Sequence, residues 1–132
     1  MANGTNRKLV ADAFAAWEEG DFGPFFEIVA DDVVWTVIGS TSISGTYHGK
    51  QAFLDGAVGP IHDALAEPIR ATVRNVFEAG DHVILQWTGR STMRSGGPYD
   101  QVYCWVMRLA GGRIVETTAY LDTDLVRRAL EG

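Results

Sequence analysis

PYDQVYCWVMRLAGGRIVETTAYLDTD, residues 98–124, reads as two antiparallel strands around a Gly-Gly turn that lead into a closing helix. Aromatic and β-branched residues fill both arms, from Val102 to Leu109 and from Ile114 to Leu121. Gly111 and Gly112 supply the positive φ that a tight hairpin needs. Side chains alternate along a strand, so Gln101, Tyr103, Trp105 and Met107 share one face of the first arm. On the second arm Glu116, Thr118 and Tyr120 share a face, which leaves Thr117 and Ala119 on the other.

Upstream, the same alternation predicts two more long strands at about residues 69–79 and 82–94, so the hairpin completes a four-strand meander over 69–122. Before the meander the pattern is helical. Thr5 is placed to cap a helix that carries Leu9, Val10, Ala13, Phe14, Ala16 and Trp17 on one face and ends near Gly20. Asp21 caps a short second helix with Pro24 in its first turn, and Ala30-Asp31-Asp32 is expected to end it. Val33 to Ile38 reads as a short strand, and the Gly/Ser/Thr-rich run 39–49 as a loop or irregular hairpin. A third helix over 50–65 is expected to break at Gly59-Pro60, and a last one to run from 124 to 130. Helices first and a meander afterwards make an α+β fold, in one domain over residues 1–132.

The chain of 132 residues is 46% hydrophobic and 21% charged, with a net charge of −6. It has no basic stripe to neutralise phosphates, so nucleic acid is excluded as a partner. No stretch reaches the roughly 18 apolar residues of a membrane span, and MANGTNRKLVADAF lacks an apolar leader core. A soluble, cytoplasmic protein without a membrane partner is expected. Cys104, the only cysteine, lies mid-strand and reads as a small packed side chain. The histidines have no metal-ligand spacing, and neither a metal nor another cofactor is expected.

Three pieces, EEGDFGPFFEIVADDVVW, GTYHGKQAF and CWVMRLAGGRIVETTAYLDT, together with the order of elements, resemble the ketosteroid-isomerase-like (nuclear-transport-factor-2-like) superfamily, and in particular its SnoaL-like branch. The resemblance implies a curved, mainly antiparallel sheet wrapped around N-terminal helices into a cone-shaped pocket. It also implies a homodimer through the outer face of the sheet. Where ketosteroid isomerases carry a base on the first strand, this chain has Val37; their enolate-stabilising Tyr and Asp fall at or beside Phe14 and at Trp105. The Asp that limonene-epoxide-hydrolase-like members need on the last strand falls at Ala119. Both of those known reactions are therefore disfavoured.

The expected pocket lining comprises Phe14, Trp35, Phe53, Trp87, Gln101, Tyr103, Trp105 and Thr117. The register of residues 82–94 decides one wall. Burying Val83, Leu85 and Trp87 costs less than burying a guanidinium without a partner, so Trp87 is placed inside. A one-residue shift at the turn 95–98 turns Gln86 and Arg90 inward instead. The candidates for chemistry are Tyr103, Gln101, Arg90 under that second register, and His62 as a general base if its helix restarts at Pro60.

Each candidate has a plainer structural reading. The four tryptophans can fill a core, and a histidine on a helix face is ordinarily solvated. Three functions stay open for a small hydrophobic partner and this fold. One is a cofactor-independent isomerase, cyclase or hydratase acting on a small hydrophobic carbonyl or polyketide-like compound. The others are a non-catalytic binding module for an apolar ligand and a dimerising domain with a vestigial pocket.

Overall fold

A computed structural model describes residues 4–131, so Met1 to Asn3 of the N-terminal segment read above lie outside the described residues. Six strands, β1 (Val29–Val37), β2 (Gly45–His48), β3 (Arg70–Ala79), β4 (His82–Thr92), β5 (Pro98–Ala110) and β6 (Arg113–Leu121), form one sheet in the order β2-β1-β6-β5-β4-β3. The strands from β3 to β6 are a meander, as their alternation predicts. β1 joins it parallel to β6, which makes the sheet mixed. Bulges interrupt the pairing between Val73 and Asn75, between Arg108 and Leu109, and between Val29 and Val34. Extra residues of this kind bend a strand and increase its twist, which curves the sheet.

Helices α1 (Thr5–Glu18) and α2 (Gly23–Ile28) pack together inside that curve, with α1 against β3 and β4. The stripe on α1 is the one the sequence spells, with Val10, Ala13, Phe14 and Trp17 buried. Its start differs from expectation. Thr5 makes no cap; the backbone N–H groups of Gly4 and Arg7 donate to the Glu78 carboxylate of β3 at 3.0 and 2.7 Å. A distant acid thereby satisfies orphan donors and complements the positive helix end. Asp21 is not the cap of α2 either: the N-cap is Phe22, and Asp21, one residue outside it, accepts from Gly23 N–H through Oδ1 at 3.0 Å.

Two expectations are corrected. Ala30-Asp31-Asp32 does not end α2 but lies within β1, where pairing of Val29 with Ile114 draws the segment into the sheet and the bulge lets Asp31 and Asp32 face water. The third helix does not break at Gly59-Pro60. It runs through α3 (Lys50–Phe53), a π-helical turn (Leu54–Val58) and α4 (Gly59–Ala64), with Gly59 N–H bonded back to Leu54 C=O. In an α-helix Pro60 leaves the Gly56 carbonyl without a donor. Here Tyr47 Oη–H donates to it at 3.1 Å and to Ile43 C=O at 2.7 Å. A Cβ on Gly56 would stand 2.4 Å from Tyr47 Cε1, so only glycine lets the ring approach.

The last helix, α5 (Thr123–Glu131), is capped by Asp122, whose Oδ1 accepts from Leu125 N–H at 3.2 Å. Among the described residues no helix is long and apolar enough to cross a membrane.

Candidate functional site

Between the inner face of the sheet and the helices lies a cavity of about 130 Å³. β1 contributes Trp35 and Val37, β4 Trp87, β5 Tyr99, Tyr103 and Trp105, and β6 Ala119 and Leu121. Trp17 of α1 and Phe53 of α3 add to the wall, and α4 supplies Ile61 and His62.

The rings are ordered by contact. Trp87 stacks on Tyr103 at 4.0 Å with a 12° tilt, and Trp35 stacks on Phe53 at 4.1 Å and 19°. Trp105 stands nearly perpendicular to both tryptophans, 4.9 Å from Trp87 and 5.0 Å from Trp35. Offset and edge-on pairs of this kind are the favoured aromatic geometries, each contributing about 0.5–1.5 kcal/mol beyond area burial. The wall is thus held in shape by its own rings. Trp17 is fixed by its Nε1–H donating to Ile69 C=O at 3.1 Å.

Pairing of Trp87 with Tyr103 and of Arg90 with Asp100 sets the register of β4. Trp87 is inside. Arg90 is outside, 3.4 Å from the Asp100 carboxylate on the exposed face, and is removed from the site candidates. Phe14 also leaves the lining: it is fully buried behind the wall, 5.1 Å from Trp87 and 5.8 Å from Trp105. Gln101 and Thr117, each 1% exposed, do not line the cavity either. Gln101 is occupied by the chain, since its amide exchanges bonds of 2.8 and 2.9 Å with Asp122 N–H and C=O. It extends the β5–β6 ladder past Leu121 as a backbone pair would. Thr117 has a buried hydroxyl without a partner.

The polar groups on the cavity wall are few. Tyr99 and Tyr103 bring two phenols together, and burial pushes both above the ordinary phenol range, Tyr103 well above it. Tyr99 adds to the rise at Tyr103, whereas hydrogen bonds from Gln101 and Tyr103 pull Tyr99 partly back. The indole N–H groups of Trp87 and Trp105 are buried without partners. His62 is exposed at the rim on α4. No carboxylate lines the cavity among the described residues, and Val37, Trp105 and Ala119 are all part of its wall. No group of three His, Cys, Asp or Glu side chains among them is arranged to hold a metal. Tyr99 was missed by the sequence reading, although alternation from Tyr103 through Gln101 points to it.

A SnoaL-like domain family model matches residues 10–117. The chain belongs to the SnoaL-like domain family. No curated protein sequence matches it. Solved structures of similar fold include a nuclear-transport-factor-2-like protein from Burkholderia thailandensis E264 at 24% identity and TM-score 0.80, over 97% of this chain and 98% of that one. A nuclear-transport-factor-2-like protein of unknown function from Burkholderia pseudomallei K96243 has the same identity and TM-score, over 100% of both chains. TerC, co-crystallised with polyporic acid, is 18% identical with TM-score 0.77, over 96% of this chain and 98% of that one. At these identities the likeness is one of fold, and the fold is the α+β cone that the SnoaL-like resemblance implies.

Proposed function

We propose that this SnoaL-like protein binds a small, flat, uncharged hydrophobic compound between its two stacked aromatic pairs. The observation that carries the reading is the wall itself: stacked and edge-on Trp, Tyr and Phe rings around a cavity with no carboxylate, lysine or arginine on it among the described residues. A cavity of roughly 150 Å³ takes a benzene-sized ring, so about 130 Å³ is the scale of one small ring. An anion entering this wall loses hydration and gains no counter-charge. TerC, of the same fold, was crystallised with polyporic acid, which supports a small-molecule role.

The test is a titration with toluene and with benzoate, followed by the indole N–H resonances of Trp35 and Trp105. Toluene shifts both resonances and benzoate shifts neither. Equal responses to the two, or none to either, overturn the reading. Trp105→Ala weakens toluene binding while the fold is kept.

A second reading, cofactor-independent proton transfer on a hydrophobic carbonyl compound, is favoured by Tyr103 and His62 bordering one cavity. In it the phenol polarises the carbonyl and the imidazole takes the proton. Deuterium exchange next to the carbonyl of acetophenone then slows in both Tyr103→Phe and His62→Ala, and catalysis is discarded if neither variant changes it. The outer face of the sheet exposes Phe77, Val102 and Tyr120, which supports a homodimer through that face, to be measured by analytical ultracentrifugation.

A further inference from the structure

The cavity wall has two kinds of residue. Trp35, Trp87, Trp105 and Ala119 are buried, whereas Phe22, His62 and Pro68 are exposed and Phe26, Val58 and Ile69 half-buried, although all of them line the same space. The second group marks the mouth. Three segments meet there: the N-terminal end of α2, the run from the π-helical turn into α4, and the residues that lead into β3. Phe22 is 46% exposed, yet its ring is seated. It lies 6.2 Å from Trp17 and 5.8 Å from Phe26, at 89° to the latter. The turn that carries it is bonded on both sides: Gly20 N–H donates to Trp17 C=O at 2.8 Å, Asp21 N–H to Ala16 C=O at 2.9 Å, and Gly23 N–H to the Asp21 carboxylate at 3.0 Å. Trp17 continues the path inward, 5.1 Å from Trp87, and joins it to the β3 side through its bond to Ile69 C=O. Of the six mouth residues only His62 is ionisable, and it belongs to α4. Phe22, Phe26, Pro68 and Ile69, gathered around Trp17, are wholly apolar. Single exposed apolar side chains are ordinary, but a contiguous set that prolongs an apolar cavity marks a ligand groove.

We propose that the site continues past the cavity as an apolar shelf made by Phe22, Phe26, Pro68 and Ile69, and that its ligand is a ring carrying a linear alkyl chain that leaves through this mouth. This inference rests on the reading of the cavity as a site for a neutral apolar compound and adds the class of substituent that compound bears. The cavity has the scale of one small ring, so a chain of several carbons does not fit beside the ring. The stacked rings of the wall take the aromatic end. The shelf covers one side of the chain and leaves the other to water.

Toluene and n-butylbenzene share the ring and differ only in the length of the chain, so they are the probes. They are titrated into the wild-type chain, Phe22→Ser and Phe22→Leu. Burying a methylene fully is worth about fourfold in affinity and covering one side of it about twofold, so the wild-type chain binds n-butylbenzene about eightfold more tightly than toluene. That gain falls to about threefold or less in Phe22→Ser and is kept in Phe22→Leu. Nuclear Overhauser contacts in the wild-type complex place the chain-end methyl of n-butylbenzene beside Phe22 and Ile69, and its ring protons beside Trp35 and Trp105. If Phe22→Ser does not fold, these contacts carry the test. Contacts of that methyl with the buried Ala57 or Ala119, equal wild-type affinity for the two probes, or a gain in Phe22→Ser as large as in the wild-type chain overturns the shelf while leaving binding in the cavity intact. Failure of both probes to bind the wild-type chain overturns the binding reading and this inference with it.

Discussion

Replacing Phe14 by alanine removes the ring on which the cavity wall rests. Phe14 is fully buried and meets Trp17, Phe25 and Trp87 at centroid distances of 5.1 Å, and Trp105 at 5.8 Å. Its neighbours are themselves clamped: Trp87 is stacked on Tyr103 and Trp17 is tied to Ile69. Collapse into the void is resisted, which puts the cost in the usual range for such truncations, about 3–5 kcal/mol. An unfolding entropy of about 2.1 cal/mol/K per residue over 132 residues gives about 0.28 kcal/mol/K, so each kcal/mol lowers Tm by about 3.6 °C. The expected fall is therefore about 11–18 °C, measured by circular dichroism at matched concentration.

The same variant makes a second prediction. The void lies directly behind Trp87 and Trp105, so it adds room to the cavity, and naphthalene binds Phe14→Ala more tightly than it binds the wild-type chain. A fall in Tm below about 4 °C, or roughly 1 kcal/mol, refutes the claim that this ring supports the wall. The core would then have repacked around the gap.

Gly89→Ala places a Cβ 2.7 Å from Ile69 Cγ2, 3.0 Å from Tyr103 Cε2 and 3.2 Å from Trp87 Cζ3, so the stacked pair must splay. Overpacking of this kind costs about 1–3 kcal/mol, and a variant with wild-type Tm and toluene affinity contradicts that. The raised phenols of Tyr99 and Tyr103 favour the folded state fully below the unfolded phenol range near pH 10, and this contribution is lost as pH rises through their higher folded values. Urea midpoints therefore decline above about pH 10 and decline less in Tyr103→Phe, whereas equal declines in the two chains count against the buried phenol. Val37→Asp sets a carboxyl in the apolar wall, where burial raises its pKa and makes the variant relatively more stable in acid; a carboxyl titrating at its ordinary value shows a wet cavity instead.

The meander was legible because its strands alternate over ten or so residues and are separated by glycine turns, so pattern and turn chemistry agree. The register of β4 followed from one physical comparison, burial of Trp87 against burial of Arg90, and Asp100 completes it by pairing with the excluded guanidinium. The misreadings share a cause. Ala30-Asp31-Asp32 has the local chemistry of a stop, and only its pairing with β6 makes it strand. Gly59-Pro60 has the chemistry of a break, and the π-helical turn with Tyr47, brought across from β2 to donate to the Gly56 carbonyl, carries the helix through it. In both places a partner distant in sequence supplies what local propensity lacks. Within the site, alternation found the inner face of β5 but could not distinguish a wall residue from one behind the wall. Phe14, Gln101 and Thr117 are buried, yet none of them is part of the cavity wall.

That layering explains why the polar groups of this cone are neutral ones. A carboxylate at Val37, Trp105 or Ala119 would face rings with no donor to hold its charge, and burial would drive it to its protonated form. A phenol has no such difficulty, because it is uncharged across the pH range in which burial must be favourable. Its one requirement is a partner for the hydroxyl. Gln101 meets that requirement from behind the wall, with its amide fixed by Asp122 and its Nε2 aimed at Tyr99. A wall of this kind suits chemistry that neutral groups can promote in the absence of bulk water.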